Sequence, residues 1–136
     1  MLPYFKELEE AVLNEDFYST YEITEKIKQQ DNASEYITPM LKLMEDNPMT
    51  DFGMPGYLVH FMEPFPEYEQ LLLDSVKRIP TEQTVVMLNR IINGSSGSDR
   101  QKYIDILKEI MNRNDIEDCL QQTIKEFLEY QASKEG

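Results

Sequence analysis

Asp51-Phe52-Gly53-Met54-Pro55-Gly56-Tyr57-Leu58-Val59-His60-Phe61-Met62-Glu63 holds two of the chain's five glycines, one of its seven prolines and its only histidine. Glycine admits backbone angles that side chains forbid, while proline fixes φ and donates no hydrogen bond, so Gly53 to Gly56 is a shaped corner rather than a generic linker. The apolar run that follows predicts a short buried helix over Tyr57–Met62. Glu63-Pro64 stops it, because the residue before a proline is pushed out of the helical region. On both sides the apolar residues recur at helical spacing, so the corner joins helices.

Upstream, Leu2 to Asn14 carries Leu2, Phe5, Leu8, Val12 and Leu13 on one face and reads as an amphipathic helix. Asp16 can cap a second helix through about Gln30, with Phe17, Tyr21, Ile23 or Thr24 and Ile27 as its apolar stripe. Asp31-Asn32 breaks it. A third helix starts near Ser34 and carries Tyr36, Ile37, Met40, Leu41 and Met44. Pro39 falls inside it and must either kink it or restart it with Thr38 as the cap. Asn47-Pro48 ends the segment.

Downstream, Pro66 opens a helix to about Arg78 with Tyr68, Leu71, Leu72, Val76 and Ile79 inward. Past Pro80, Thr81 caps a helix that buries Val85, Leu88, Ile91 and Ile92 and stops at Asn93-Gly94. After the Gly94-Ser95-Ser96-Gly97 loop, Ser98 and Gln101 form a capping-box pattern, opening a helix through about Met111 with Tyr103, Ile104, Leu107 and Ile110 inward. Asp115 is the expected cap of the last helix, which buries Ile116, Leu120, Ile124, Phe127 and Leu128 and should fray from Ala132 onward. Thr84-Val85-Val86-Met87 is the only β-branched cluster, and its surroundings have helical spacing.

The expected fold is all-α, a single domain over residues 1–136 with about eight short helices stacked as antiparallel hairpins. One pair per roughly thirty residues is the size of a HEAT-like unit, so an irregular α-solenoid is the first architecture and a compact helical bundle the alternative. A solenoid offers broad surfaces for protein binding.

Acidic residues number 26 against 13 basic ones, giving a net charge of −13. Nucleic acid and acidic membrane surfaces are poor partners for such a chain, since a phosphate backbone is bound by Lys and Arg. The acidity has two readings: it serves solubility, or it steers a basic partner into place. The N-terminus lacks the pattern of a signal peptide and no apolar run is long enough to span a bilayer, so the expected location is cytoplasmic. Cys119, the single cysteine, falls in the apolar stripe of the last helix and reads as packing.

Catalysis has little to build on. His60 and Glu63 lie three residues apart, a spacing that puts imidazole and carboxylate on one helical face, but further ligands or a third group are missing. No catalytic, cofactor or metal site is assigned. Ser95-Ser96 lacks the lysine of a phosphate-binding loop, and the acidic pairs read as solvated faces. Most of the eight methionines lie in apolar stripes, and Met54, in the corner, is the contact candidate among them. In the polar group Asn89, Arg90 and Asn93, either Arg90 pairs with an acid of a neighbouring helix while the asparagines cap loop backbone, or Arg90 faces a partner.

Two segments together, Asp51 to Glu63 and Pro80-Thr81-Glu82-Gln83-Thr84-Val85-Val86-Met87-Leu88-Asn89-Arg90-Ile91-Ile92-Asn93, resemble a family of small bacterial immunity proteins with all-helical, HEAT-like folds. These belong to polymorphic-toxin and contact-dependent growth-inhibition systems. The likeness spans roughly Leu41 to Leu107 and rests on the order and spacing of the two motifs. It implies a non-enzymatic antidote that binds a cognate toxin domain and blocks its active site or substrate access. Many such toxins are nucleases with a basic surface, which gives the acidity a use. The candidate toxin-binding residues are Asp51, Met54, Tyr57, His60, Glu63, Glu67, Tyr68, Glu69 and Arg90. A general helical-repeat adaptor is the alternative, and a small hydrolase using His60 a third reading.

Overall fold

A computed structural model describes residues 2–53 and 55–135. Among them are eight α-helices and no strand: α1 Phe5–Leu13, α2 Phe17–Lys28, α3 Ile37–Asp46, α4 Tyr57–Met62, α5 Tyr68–Arg78, α6 Glu82–Asn93, α7 Gly97–Met111 and α8 Asp118–Glu135, with a 3₁₀ turn at Ala33–Tyr36. Asp16 caps α2 as expected, its carboxylate accepting from the Ser19 N–H at 3.1 Å and the Ser19 hydroxyl at 2.7 Å. Those two bonds hold the Asp16 carboxyl below the usual carboxylate range. Thr81 caps α6, and Thr84 returns the bond to the Thr81 N–H, closing a capping box in which threonine replaces the usual Glu or Gln.

Several boundaries differ from expectation, each for a local reason. Pro39 neither kinks a helix nor restarts one behind Thr38; it is the third residue of α3, in the first turn, where backbone N–H groups have no intrahelical acceptor to lose. The Ser98–Gln101 capping box does not form, because Gln101 donates instead to Asp105 at 2.8 Å, and α7 starts at Gly97. Asp115 does not cap α8, since Arg113 grips its carboxylate in a two-pronged pair at 2.8 and 2.7 Å and the helix begins at Asp118. Nor does α8 fray at Ala132: it runs on to Glu135, anchored by the buried Gln131.

Buried residues from all eight helices join one hydrophobic cluster, with Leu8, Ile27, Met44, Phe61, Leu72, Leu88, Leu107 and Ile124 all within about a per cent of full burial. α1 packs on α2, α5 on α6, α6 on α7 and α7 on α8, with α8 also reaching α6. The sequential hairpin pattern lapses in the middle. There α3 packs on the 3₁₀ turn and on α5, while α4 packs on α2. The corner before α4 makes this crossing possible. Gly53 and Gly56 have φ of +104° and +101°, and a Cβ on Gly56 would lie 1.8 Å from the Phe52 carbonyl oxygen. The buried Phe52 pins the corner from within, and Gln83 of α6 donates to the Pro55 carbonyl at 3.1 Å.

Candidate functional site

The segment after α4 folds against α6 and leaves an open cleft of about 370 Å³, lined by Glu63, Pro64, Phe65, Pro66, Tyr68, Glu69, Arg90 and Ile91. At its centre Arg90 Nε and Nη2 donate to Glu63 Oε2 and Oε1 at 2.8 and 3.0 Å. This fork-to-carboxylate geometry raises the already high guanidinium pKa through the hydrogen bonds to Glu63. Tyr68 is only 4% exposed, and its hydroxyl has no hydrogen-bond partner among the described residues. Burial pushes its ionisation up, and the neighbouring Glu63 charge adds to the shift. Glu69 accepts from the Tyr103 hydroxyl of α7. Phe65, Pro66 and Ile91 supply its apolar lining, with the Phe65 ring tilted against Phe61 at 5.3 Å between centroids.

Four of the predicted residues, Glu63, Tyr68, Glu69 and Arg90, therefore share one cleft. His60 stands at its edge, exposed, with Nδ1 3.8 Å from Glu63 Oε1, on the same face as the helical spacing requires but beyond hydrogen-bonding distance. Glu67 is exposed just before α5. Tyr57 and Asp51 lie apart from the cleft: the Tyr57 ring rests against Tyr21 of α2 at 5.1 Å, and Asp51 Oδ1 accepts the Gly53 N–H at 2.9 Å. Met54 lies outside the described residues. Arg90 adopts the pairing with a neighbouring acid, while Asn89 and Asn93 serve a different end from capping loop backbone. Both accept from the Gln131 side chain of α8, at 2.9 and 2.8 Å.

A second concavity escaped the sequence reading. The α3–α4, α5–α6 and α7–α8 connections meet around a groove of about 490 Å³ whose apolar lining includes Pro48, Met49, Ile79, Pro80, Ile116 and Leu120. Ile79 and Cys119, both expected inside, are exposed and line this groove. The reason is local: Ile79 follows the last turn of α5 in extended conformation, and Cys119 is in the first turn of α8. One wall holds Glu45, whose side chain is 3% exposed and accepts from Ser75 at 2.7 Å and from Arg78 at 3.1 and 2.6 Å. Burial raises the Glu45 pKa, but the Arg78 and Ser75 hydrogen bonds outweigh it and leave the carboxyl below its ordinary value. The opposite wall holds the Arg113–Asp115 pair, with Arg113 Nη1 also donating to the Lys77 carbonyl at 2.7 Å.

Among the described residues no three His, Cys, Asp or Glu side chains gather as metal ligands, and no helix is long and apolar enough to cross a membrane. Compared with known proteins, the chain matches no family model, no curated protein and no solved structure.

Proposed function

We propose that the protein is a binding module for a basic protein surface. More particularly, it is an immunity protein that neutralises a cognate bacterial toxin domain, a nuclease being the class whose substrate demands such a surface, by covering its active site or substrate path in the cytoplasm. The observation that carries this reading is the cleft itself. The two segments on which the family resemblance rests are joined by the Glu63–Arg90 pair and the Gln83–Pro55 hydrogen bond, so they form one surface. That surface has a paired Arg–carboxylate at its centre, Phe65, Pro66 and Ile91 beside it and Glu69 in its lining, with the exposed Glu67 next in sequence to two of its lining residues, so it offers a partner both apolar contact and negative charge.

Expression of this chain beside the toxin encoded by the adjacent gene tests the reading, since it should protect the host and bind the toxin directly. Failure on both counts sinks the immunity reading. Glu67→Gln with Glu69→Gln tests the cleft separately, Glu63 being left alone because Arg90 depends on it. The pair should slow association about fivefold at low salt and flatten its salt dependence. An unchanged on-rate would place the interface elsewhere.

A further inference from the structure

We infer that the groove between the α3–α4, α5–α6 and α7–α8 connections is a docking site for a cationic amphipathic segment of a partner protein. This surface is separate from the Glu63–Arg90 cleft and holds whether or not the partner is a toxin. Single exposed apolar residues are ordinary on a protein surface, but here several line one concavity. Met49 is 90% exposed and Ile79 45%, and between them Ile116 and Cys119 continue the apolar lining.

The groove is built to keep this shape without a partner. Pro48 and Pro80 stiffen two of its three connections. Ile79 is held by its N–H donating to the Ser75 carbonyl at 2.9 Å, and Arg113 ties the third connection to the end of α5 through the Lys77 carbonyl. A preformed site loses little ordering entropy on binding. Its volume falls within the roughly 300–1,000 Å³ of ligand clefts, room for apolar side chains presented at helical spacing.

Charge selects the occupant. The two guanidinium groups on the walls are already paired with Glu45 and Asp115, so Glu82 and Glu117 on the rim leave it net negative. A second copy of the chain, with its net charge of −13, would bring like charges together. A segment whose lysines or arginines flank apolar residues meets the acids Glu82 and Glu117 and, beside them, the exposed side chains of Met49 and Ile79.

The single cysteine provides the readout, because Cys119 lines the groove and is the only thiol. The probe is a synthetic helical peptide with leucines at i, i+3, i+4 and i+7 and lysines elsewhere, added to the intact chain during modification by N-ethylmaleimide. At saturation the modification rate should fall about tenfold, and raising salt from about 0.05 to 0.5 M should weaken protection. Met49→Ser and Ile79→Ser, at positions too exposed to disturb folding, should each raise the peptide's Kd by roughly tenfold. An unchanged thiol rate, equal protection by the same peptide with glutamates for lysines, or a Kd that neither substitution changes would overturn the inference. The cleft reading would stand through any of these, because no toxin enters the experiment.

Discussion

Replacing Arg78 by Met should cost more stability than replacing Glu45 by Gln, although Arg78 is the exposed member of the pair. The Arg78 side chain is 55% exposed and that of Glu45 3%, so the two substitutions strand different groups. In Glu45→Gln the amide still accepts from Ser75, and the released guanidinium is free to rehydrate. Two charge-assisted bonds become weaker ones, which amounts to about 1–2 kcal/mol. In Arg78→Met the carboxylate stays buried with Ser75 as its only remaining hydrogen-bond donor among the described residues, a situation that typically costs about 3–5 kcal/mol. Protonation caps the penalty. From an ordinary pKa of 4.5 to pH 7, at about 1.4 kcal/mol per unit, neutralising the acid costs about 3.4 kcal/mol. The expected loss is therefore about 3 kcal/mol, a large share of the stability of a domain this size. Urea unfolding at pH 7 with unchanged m-values measures both variants. Because the folded Glu45 pKa is lowered, its contribution is fully present above 4.5 and is lost as pH falls through the lowered value. The gap between the wild type and Glu45→Gln should thus close below pH 4.5. If Glu45→Gln proves as costly as Arg78→Met, or if the gap does not change with pH, the account of this pair is wrong.

Three further substitutions probe the corner, a glycine outside it and the cleft. Gly56→Ala would set a Cβ 1.8 Å from the Phe52 carbonyl oxygen at a φ of +101° and should cost at least about 3 kcal/mol. Gly94→Ala, with the Ile91 carbonyl oxygen 3.8 Å away and no positive φ, should stay within about 1 kcal/mol by the same urea unfolding assay. Tyr68→Phe removes a buried hydroxyl that has no partner among the described residues, so the free protein should gain about 1 kcal/mol in urea unfolding. A loss of that size would show that the hydroxyl is satisfied after all.

Helical spacing and capping chemistry made most of the elements legible. Asp16 and Thr81 cap where they were expected to, and Tyr57–Met62 is α4 to the residue. Local patterns misled where a stronger partner intervened. Asp115 is a good helix cap until Arg113, two residues away, captures it, and Gln101 serves a capping box only if Asp105 does not compete. Part of the cleft was legible too, because the sequence marks Glu63, Tyr68, Glu69 and Arg90 as candidate binding residues and all four line it. Their meeting was not legible, since it depends on how the chain crosses between α3 and α5. The groove left no sequence signal: the helical stripes point Ile79 and Cys119 inward, and exposure at helix ends is set by what the connections pack against.

By itself the sequence determined an all-helical chain, the placing of its breaks, its acidity and a glycine-proline corner that only glycine angles allow. These are local properties, written in the spacing of apolar residues and in the chemistry of single side chains. Tertiary structure alone decided that α4 packs on α2 and α3 on α5, that Glu63 and Arg90 close on each other, and that three connections surround an apolar groove. Each of these depends on residues far apart in the chain, Glu63 and Arg90 being separated by 27 positions, brought together by burial that no local pattern encodes.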